Sequence, residues 1–149
     1  MAMHVEAQVL IDAPPAVVWR IFERVEDWPR WWPACRRAAV RDGAFERPGS
    51  HLRITLRPAW FTMTFEPVVL EAERERRYVW EGRGGGVTGR HAFEFVREGA
   101  GTRVRQTGAF SGPGVILLRL FGQVGATQRM FDENLAGLKR LAEESGRSV

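Results

Sequence analysis

The sequence predicts an α+β domain in which an antiparallel sheet of about seven strands packs on a long C-terminal helix, in the order β-α-α-β6-α. Three observations carry this. Short runs alternate between apolar and polar residues at 4–11 and repeatedly between about 35 and 111, the period of half-buried strands. Between the first run and the others, apolar residues step at helical spacing over 18–25. The last third of the chain holds its strongest periodicity, an apolar stripe from Leu117 to Ala142.

In chain order, Val5, Ala7, Val9 and Ile11 face one side of the first strand, and His4, Glu6 and Gln8 the other. Asp12-Ala13-Pro14-Pro15 stops it and starts a helix, with Asp12 as the expected cap and proline tolerated in the first turn. Val18, Ile21, Phe22 and Val25 then form one stripe, and Asp27–Pro33 reads as a short second helix or tight turn bounded by two prolines. Strands follow at Leu52/Ile54/Leu56 and at Phe61/Met63/Phe65, the latter interrupted by Pro67. Glu73–Arg77 is charged at both parities, which places a turn there. Tyr78/Trp80/Gly82, His91/Phe93/Phe95 and Val104/Gln106/Phe110 resume the alternation, with a hairpin at Glu98-Gly99-Ala100-Gly101. Ser111-Gly112-Pro113-Gly114 ends the strands. A helix starting within Pro113–Ile116 and running to about Glu144 carries Leu117, Phe121, Val124, Gln128, Phe131, Leu135, Leu138 and Ala142 on one face.

The 149 residues, 44% of them hydrophobic, form a single expected domain over 1–149. The apolar runs are too short to span a bilayer, and the N-terminal residues lack the basic and apolar regions of a secretory leader. A soluble, cytoplasmic protein without a membrane-inserted segment is expected. Cys35 is the only cysteine, so an internal disulfide is excluded. The net charge of +4 comes from 21 arginines and Lys139. These arginines are interleaved with acids, as in Glu71–Arg77, rather than gathered in a stripe, which argues against nucleic-acid binding.

Gly84-Gly85-Gly86-Val87-Thr88-Gly89 fits the glycine pattern of a dinucleotide site, but a strand rather than a helix follows it, so a hairpin loop is expected. The three histidines, His4, His51 and His91, are isolated and offer no metal site. His91 shares a strand face with Phe93 and Phe95; it is either a satisfied histidine at the sheet end or a polar group aimed into a cavity. Ser111 lacks the surroundings of a nucleophile elbow. Trp28, Trp31 and Trp32 read as core packing rather than a ligand cage. Gln128, polar in the middle of an apolar stripe, either bonds to backbone or faces a ligand.

Ile11-Asp12-Ala13-Pro14-Pro15-Ala16-Val17-Val18-Trp19 followed by Asp27–Pro33 resembles the opening of the START/SRPBCC helix-grip superfamily, above all its polyketide cyclase/dehydratase-like and lipid-transport-like members. Tyr78–Gly82, Gly89–Phe93, Gly101–Val104, Phe110-Ser111-Gly112 and Phe131–Leu135 with Leu138-Lys139 extend the resemblance over essentially the whole chain. The resemblance implies a curved sheet gripping the long helix, with a ligand cavity between them. It also implies one departure: relatives with the histidine strand often carry an acid two residues before the equivalent of Phe110, where this chain has Gly108.

The function expected is binding of a hydrophobic or aromatic small molecule, lipid- or polyketide-like, without cofactor or metal. A bent sheet cannot close on one straight helix everywhere, and an apolar void favours apolar guests. The candidate lining residues are Phe61, Met63, Trp80, His91, Phe93, Phe110, Leu117, Phe121, Val124 and Gln128. Trp80 and Phe93 would stack, His91 and Gln128 would orient a polar group, and glycines at 112, 114, 122 and 125 would let the start of the helix act as a gate. Two other classes compete: a cyclase or dehydratase in which His91 moves a proton, and a chaperone-interaction domain of the Aha type, which would need an apolar outer sheet face.

Overall fold

The computed structural model describes residues 2–58 and 60–147. Strand β1 (Ala2–Ile11) alternates as expected, burying Met3, Val5, Ala7 and Ile11. Helix α1 (Pro15–Phe22) buries Val18, Trp19 and Phe22. The expected Asp12 cap is not formed: Pro14 occupies the cap position without a side-chain bond, and the Asp12 N–H donates instead to Glu143 Oε2 at 2.9 Å. The segment expected as a short second helix or turn contains a 3₁₀ helix, Val25–Arg30, with Pro29 inside it, where proline has no N–H to give to an α-helical ladder.

The remaining strands are β2 (Cys35–Asp42), β3 (His51–Leu56), β4 (Met63–Phe65), β5 (Val68–Glu73), β6 (Arg77–Gly84), β7 (Val87–Glu98) and β8 (Gly101–Ser111). Together with β1 they form one curved antiparallel sheet of order β1-β8-β7-β6-β5-β3-β2, with β4 paired to β3. Seven strands thus follow the helical pair where six were expected. Alternation does not mark β2 and β5, because register shifts at Cys35/Arg37, Val40/Asp42 and Val69/Glu71 break the period of two. The glycine run is the β6–β7 hairpin, with Gly85 and Gly86 at positive φ.

The long helix begins at Val115, within the expected window, but it is two helices: α2 (Val115–Leu120) and α3 (Gln123–Arg147). Gly122 separates them at φ +68°, a left-handed conformation that glycine adopts without a Cβ clash. The second half of the stripe holds: Phe131, Leu135, Leu138 and Ala142 are all buried. At Gly137 a Cβ would lie 2.2 Å from the Trp31 carbonyl oxygen, so glycine lets α3 approach the Trp28–Trp32 segment this closely. Along the edge strand β1, Gln128 Nε2 donates to the Glu6 carbonyl (2.7 Å) and Lys139 Nζ to the Leu10 carbonyl (2.9 Å). These bonds cover carbonyls that an open sheet edge would offer to other chains.

At the α1 end the interior is an aromatic cluster. Phe22 lies 4.8 Å from Phe93, 5.2 Å from Phe95 and 5.6 Å from Trp28 between ring centroids. The Trp28 indole N–H donates to the Phe22 carbonyl at 2.8 Å. Tyr78 stacks on Phe45 at 4.3 Å and donates its hydroxyl to the Phe45 carbonyl. The outer sheet face is a charge-matched ladder, including Arg105–Glu6, Arg103–Glu98, Arg77–Glu94 and Arg53–Glu66. Exposed pairs of this kind contribute only about 0–1 kcal/mol each, but they keep that face polar.

Cys35 is buried, and burial pushes its thiol up to about 11 while Sγ contacts the Arg37 carbonyl at 3.6 Å. A thiol held protonated is unreactive. Cys35 should therefore resist Ellman's reagent at pH 8 in the native protein and react at once in denaturant; fast native labelling would show that this segment opens.

Candidate functional site

Side-chain size along the inward face of the sheet decides where space remains. On β6 the inward positions read Tyr78, Trp80, Gly82, Gly84, and on β7 they read Phe95, Phe93, His91, Gly89. The register pairs Trp80 with His91 and Gly82 with Gly89. Large rings thus fill the α1 end, and glycines leave the hairpin end unfilled. A cavity of about 320 Å³ lies there, at the small end of ligand sites, which run from roughly 300 Å³ upward. Its wall is mainly apolar: Met3, Trp32, Leu56, Phe61, Met63, Phe65, Phe110, Leu118 and Met130, with Thr127 and Gln123 of α3 on one side.

His91 is a half-buried polar residue of this wall, which Arg83, Gln123 and Thr127 also line. Its ring stacks on Trp80 (5.3 Å, 17°), meets the Phe110 ring edge-on (5.4 Å, 87°) and lies 5.7 Å from Phe131. Nδ1 is buried and has no hydrogen-bond partner among the described residues. Burial lowers the imidazole pKa to about 4, so it is neutral near pH 7 and offers one donor and one acceptor nitrogen. Gly108 is the residue paired with His91 across β7 and β8. A Cβ there would lie 2.8 Å from Phe131 Cζ and 2.9 Å from Phe110 Cε2. The place of an acidic side chain is therefore taken by aromatic rings.

Four of the ten expected lining residues, Phe61, Met63, His91 and Phe110, are brought together on this wall. The other six are not. Trp80 is fully buried behind His91, and Phe93 is packed in the aromatic cluster against Phe22. Alternation assigns a residue to a face but not to a depth along the strand. Leu117, Phe121 and Val124 are exposed, by 56%, 74% and 38%. The break at Gly122 resets the helical phase, so α2 turns Val115 and Leu118 inward and α3 turns Gln123, Thr127 and Met130. Gln128 takes the backbone alternative, bonding to the Glu6 carbonyl and, at 3.3 Å, to Asp132 Oδ1.

Trp32 reads as core in the sequence, yet it lines the cavity as well as packing on Trp31. Gly82, Gly84 and Gly89 are site positions that sequence reasoning missed. The available signal was glycine recurring in phase with inward-facing aromatics on paired strands. A second depression, of about 440 Å³, lies between α1, the 3₁₀ helix and the end of α3; it is lined by Arg20, Arg24, Arg30, Asp27 and Glu144 and shares no residue with the first. Among the described residues no group of three or more His, Cys, Asp or Glu is placed to hold a metal ion.

A family model described as polyketide cyclase/dehydrase and lipid transport matches residues 2–143. No curated protein matches the sequence. The fold is similar to that of TTHA0849 from Thermus thermophilus, with 22% identity, TM-score 0.79 and coverage of 96% of this chain and 99% of that one. It is also similar to the Zhui aromatase/cyclase from Streptomyces sp. R1128 (16%, TM-score 0.80, coverage 96% and 94%). A START superfamily protein from Mycobacterium smegmatis is a further neighbour (16%, TM-score 0.73, coverage 95% and 97%). At these identities the likeness is one of fold.

Proposed function

The chain belongs to the polyketide cyclase/dehydrase and lipid transport family, and from that premise we propose that it binds a hydrophobic or aromatic small molecule in the hairpin-end cavity. Trp32, Phe61, Met63 and Phe110 supply contact area, and His91 hydrogen-bonds one hydroxyl or carbonyl group of the guest. The observation that carries this reading is the neutral His91 on a mainly apolar wall, where the other polar side chains are Arg83, Gln123 and Thr127. An apolar guest with one polar end suits both the mainly apolar surface and the imidazole that stands on it.

Naphthalene and 2-naphthol separate these two contributions. Both should change tryptophan fluorescence through Trp32, with micromolar affinity, on the order of −8 kcal/mol. His91→Phe should leave naphthalene binding nearly unchanged and weaken 2-naphthol by about 1–2 kcal/mol, the worth of one hydrogen bond. If neither compound perturbs the fluorescence, the cavity is not a binding site for such guests.

An enzymatic reading has one observation in its favour, a neutral imidazole on the cavity wall, but a pKa lowered to about 4 makes it a weak base near pH 7. Against it, no lining residue of the cavity is Asp or Glu, and the position opposite His91 is closed to one. Turnover of a poly-β-ketone analogue that disappears in His91→Phe would replace binding by catalysis. The Aha-type alternative finds no support on the outer sheet face, where paired arginines and glutamates stand.

A further inference from the structure

The cavity mouth is bordered by the segment after β3 and by the α2–α3 junction, which contribute Phe61 and Met63 from one side and Leu118 and Gln123 from the other. These two segments also carry most of the large apolar side chains that the described residues expose. Eight of ten fall within 60–63 and 116–124; only Leu10 and Val96 lie elsewhere. Trp60, Leu120 and Phe121 are the most exposed, at 84%, 73% and 74%.

The charges around this patch are mainly positive. Arg83 lines the cavity, Arg57 and Arg119 adjoin its lining residues Leu56 and Leu118, and Arg129 precedes Met130 on α3; all four are exposed. No carboxylate occurs from 51 to 65, from 82 to 93 or from 99 to 131. Of the carboxylates just outside these segments, Glu66 and Glu81 are held by Arg53 and Arg90, and Asp132 accepts from Gln128 Nε2. None of the four arginines makes an ion pair among the described residues, although Arg119 donates to the Ala2 carbonyl, whereas Arg77, Arg103 and Arg105 of the outer sheet face are paired. An exposed apolar tip with an unpaired cationic rim fits an anionic interface. A second copy would bring the same unpaired arginines face to face.

We infer that the mouth of the cavity docks on an anionic lipid surface, with Trp60, Leu120 and Phe121 entering the headgroup region and Arg57, Arg83, Arg119 and Arg129 meeting lipid phosphates. No helix among the described residues is long and apolar enough to cross a membrane, so the attachment is peripheral. This deepens the binding reading and rests on it, because a guest that partitions into bilayers passes from lipid to cavity without crossing water.

The test is sedimentation of the full chain with phosphatidylcholine vesicles, with and without phosphatidylglycerol. Trp60 is the exposed one of six tryptophans and the other five are buried, so quenching by bromolipids reports its entry into the interface. The protein should sediment with the anionic vesicles only, be quenched by bromolipid and be released by salt. L120S and R129Q, both at exposed positions, should each lower the partition about fivefold or more. Equal attachment to both vesicle types, none to either, or an unchanged R129Q overturns the proposal. So does a vesicle-free dimer that L120S dissolves, which assigns the patch to a second copy. Binding of 2-naphthol in vesicle-free buffer is measured on the same variants. Its absence with attachment intact defeats the cavity reading alone, and the converse defeats the docking alone.

Discussion

Trp28→Ala should lower the free energy of unfolding by about 3–5 kcal/mol, whereas Leu117→Ala should change it by no more than about 0.5 kcal/mol. Trp28 is fully buried and contacts Phe22, Trp31, Trp32 and Trp80. Truncating it opens a cavity in the most densely aromatic part of the interior and removes the donor to the Phe22 carbonyl. Leu117 is more than half exposed, so its loss removes little buried area. Urea titrations of the two variants give the comparison directly. Similar losses at both positions would mean that α2 is packed into the core rather than lying at the cavity mouth.

Acidification from pH 7 to pH 4 should remove up to about 3 kcal/mol of stability through His91 alone. Its folded pKa is lowered by burial to about 4, from an ordinary value of 6.5. Above the ordinary value the ring is neutral in both folded and unfolded chains, and the contribution to stability is complete. As pH falls from about 6.5 to 4, the unfolded chain binds a proton that the folded chain refuses, so stability is lost across that window and levels off below it. His91→Phe removes this dependence while the carboxylates common to both proteins titrate alike. The gap between wild type and variant should therefore shift with pH in favour of the variant. Parallel pH profiles would mean that His91 is solvated inside the cavity and that the wall is wet.

The separation of Trp28 from Leu117 also marks what can be read from residues alone. Strand alternation in β1, β3, β6, β7 and β8, the hairpins at Gly85-Gly86 and Gly99-Ala100, and the Phe131–Ala142 stripe were all legible, because each rests on a period set by local backbone geometry. β2 and β5 were less legible because their register shifts exist only against a partner strand. The stripe failed at Gly122 because one left-handed residue rotates everything before it relative to everything after it.

Within the site, the sequence by itself determined which residues face inward on the strands and that a histidine stands among them. Only the tertiary structure decided that Phe93 and Trp80 are core while His91 and Phe110 are wall, because depth along a strand depends on what the facing elements fill. Phe22 and Trp28 arrive from α1 and the 3₁₀ helix to occupy one end of the interior, while at the other Phe65 and Phe110 touch Gly82 and Gly89 and leave the cavity open beside them. Likewise, Gly108 reads in one dimension as a missing acid, but in three dimensions it is the contact that admits Phe131 and Phe110 beside His91. Periodicity is a property of the backbone and survives in the sequence; volume is shared among residues far apart in the chain and is settled only when they pack.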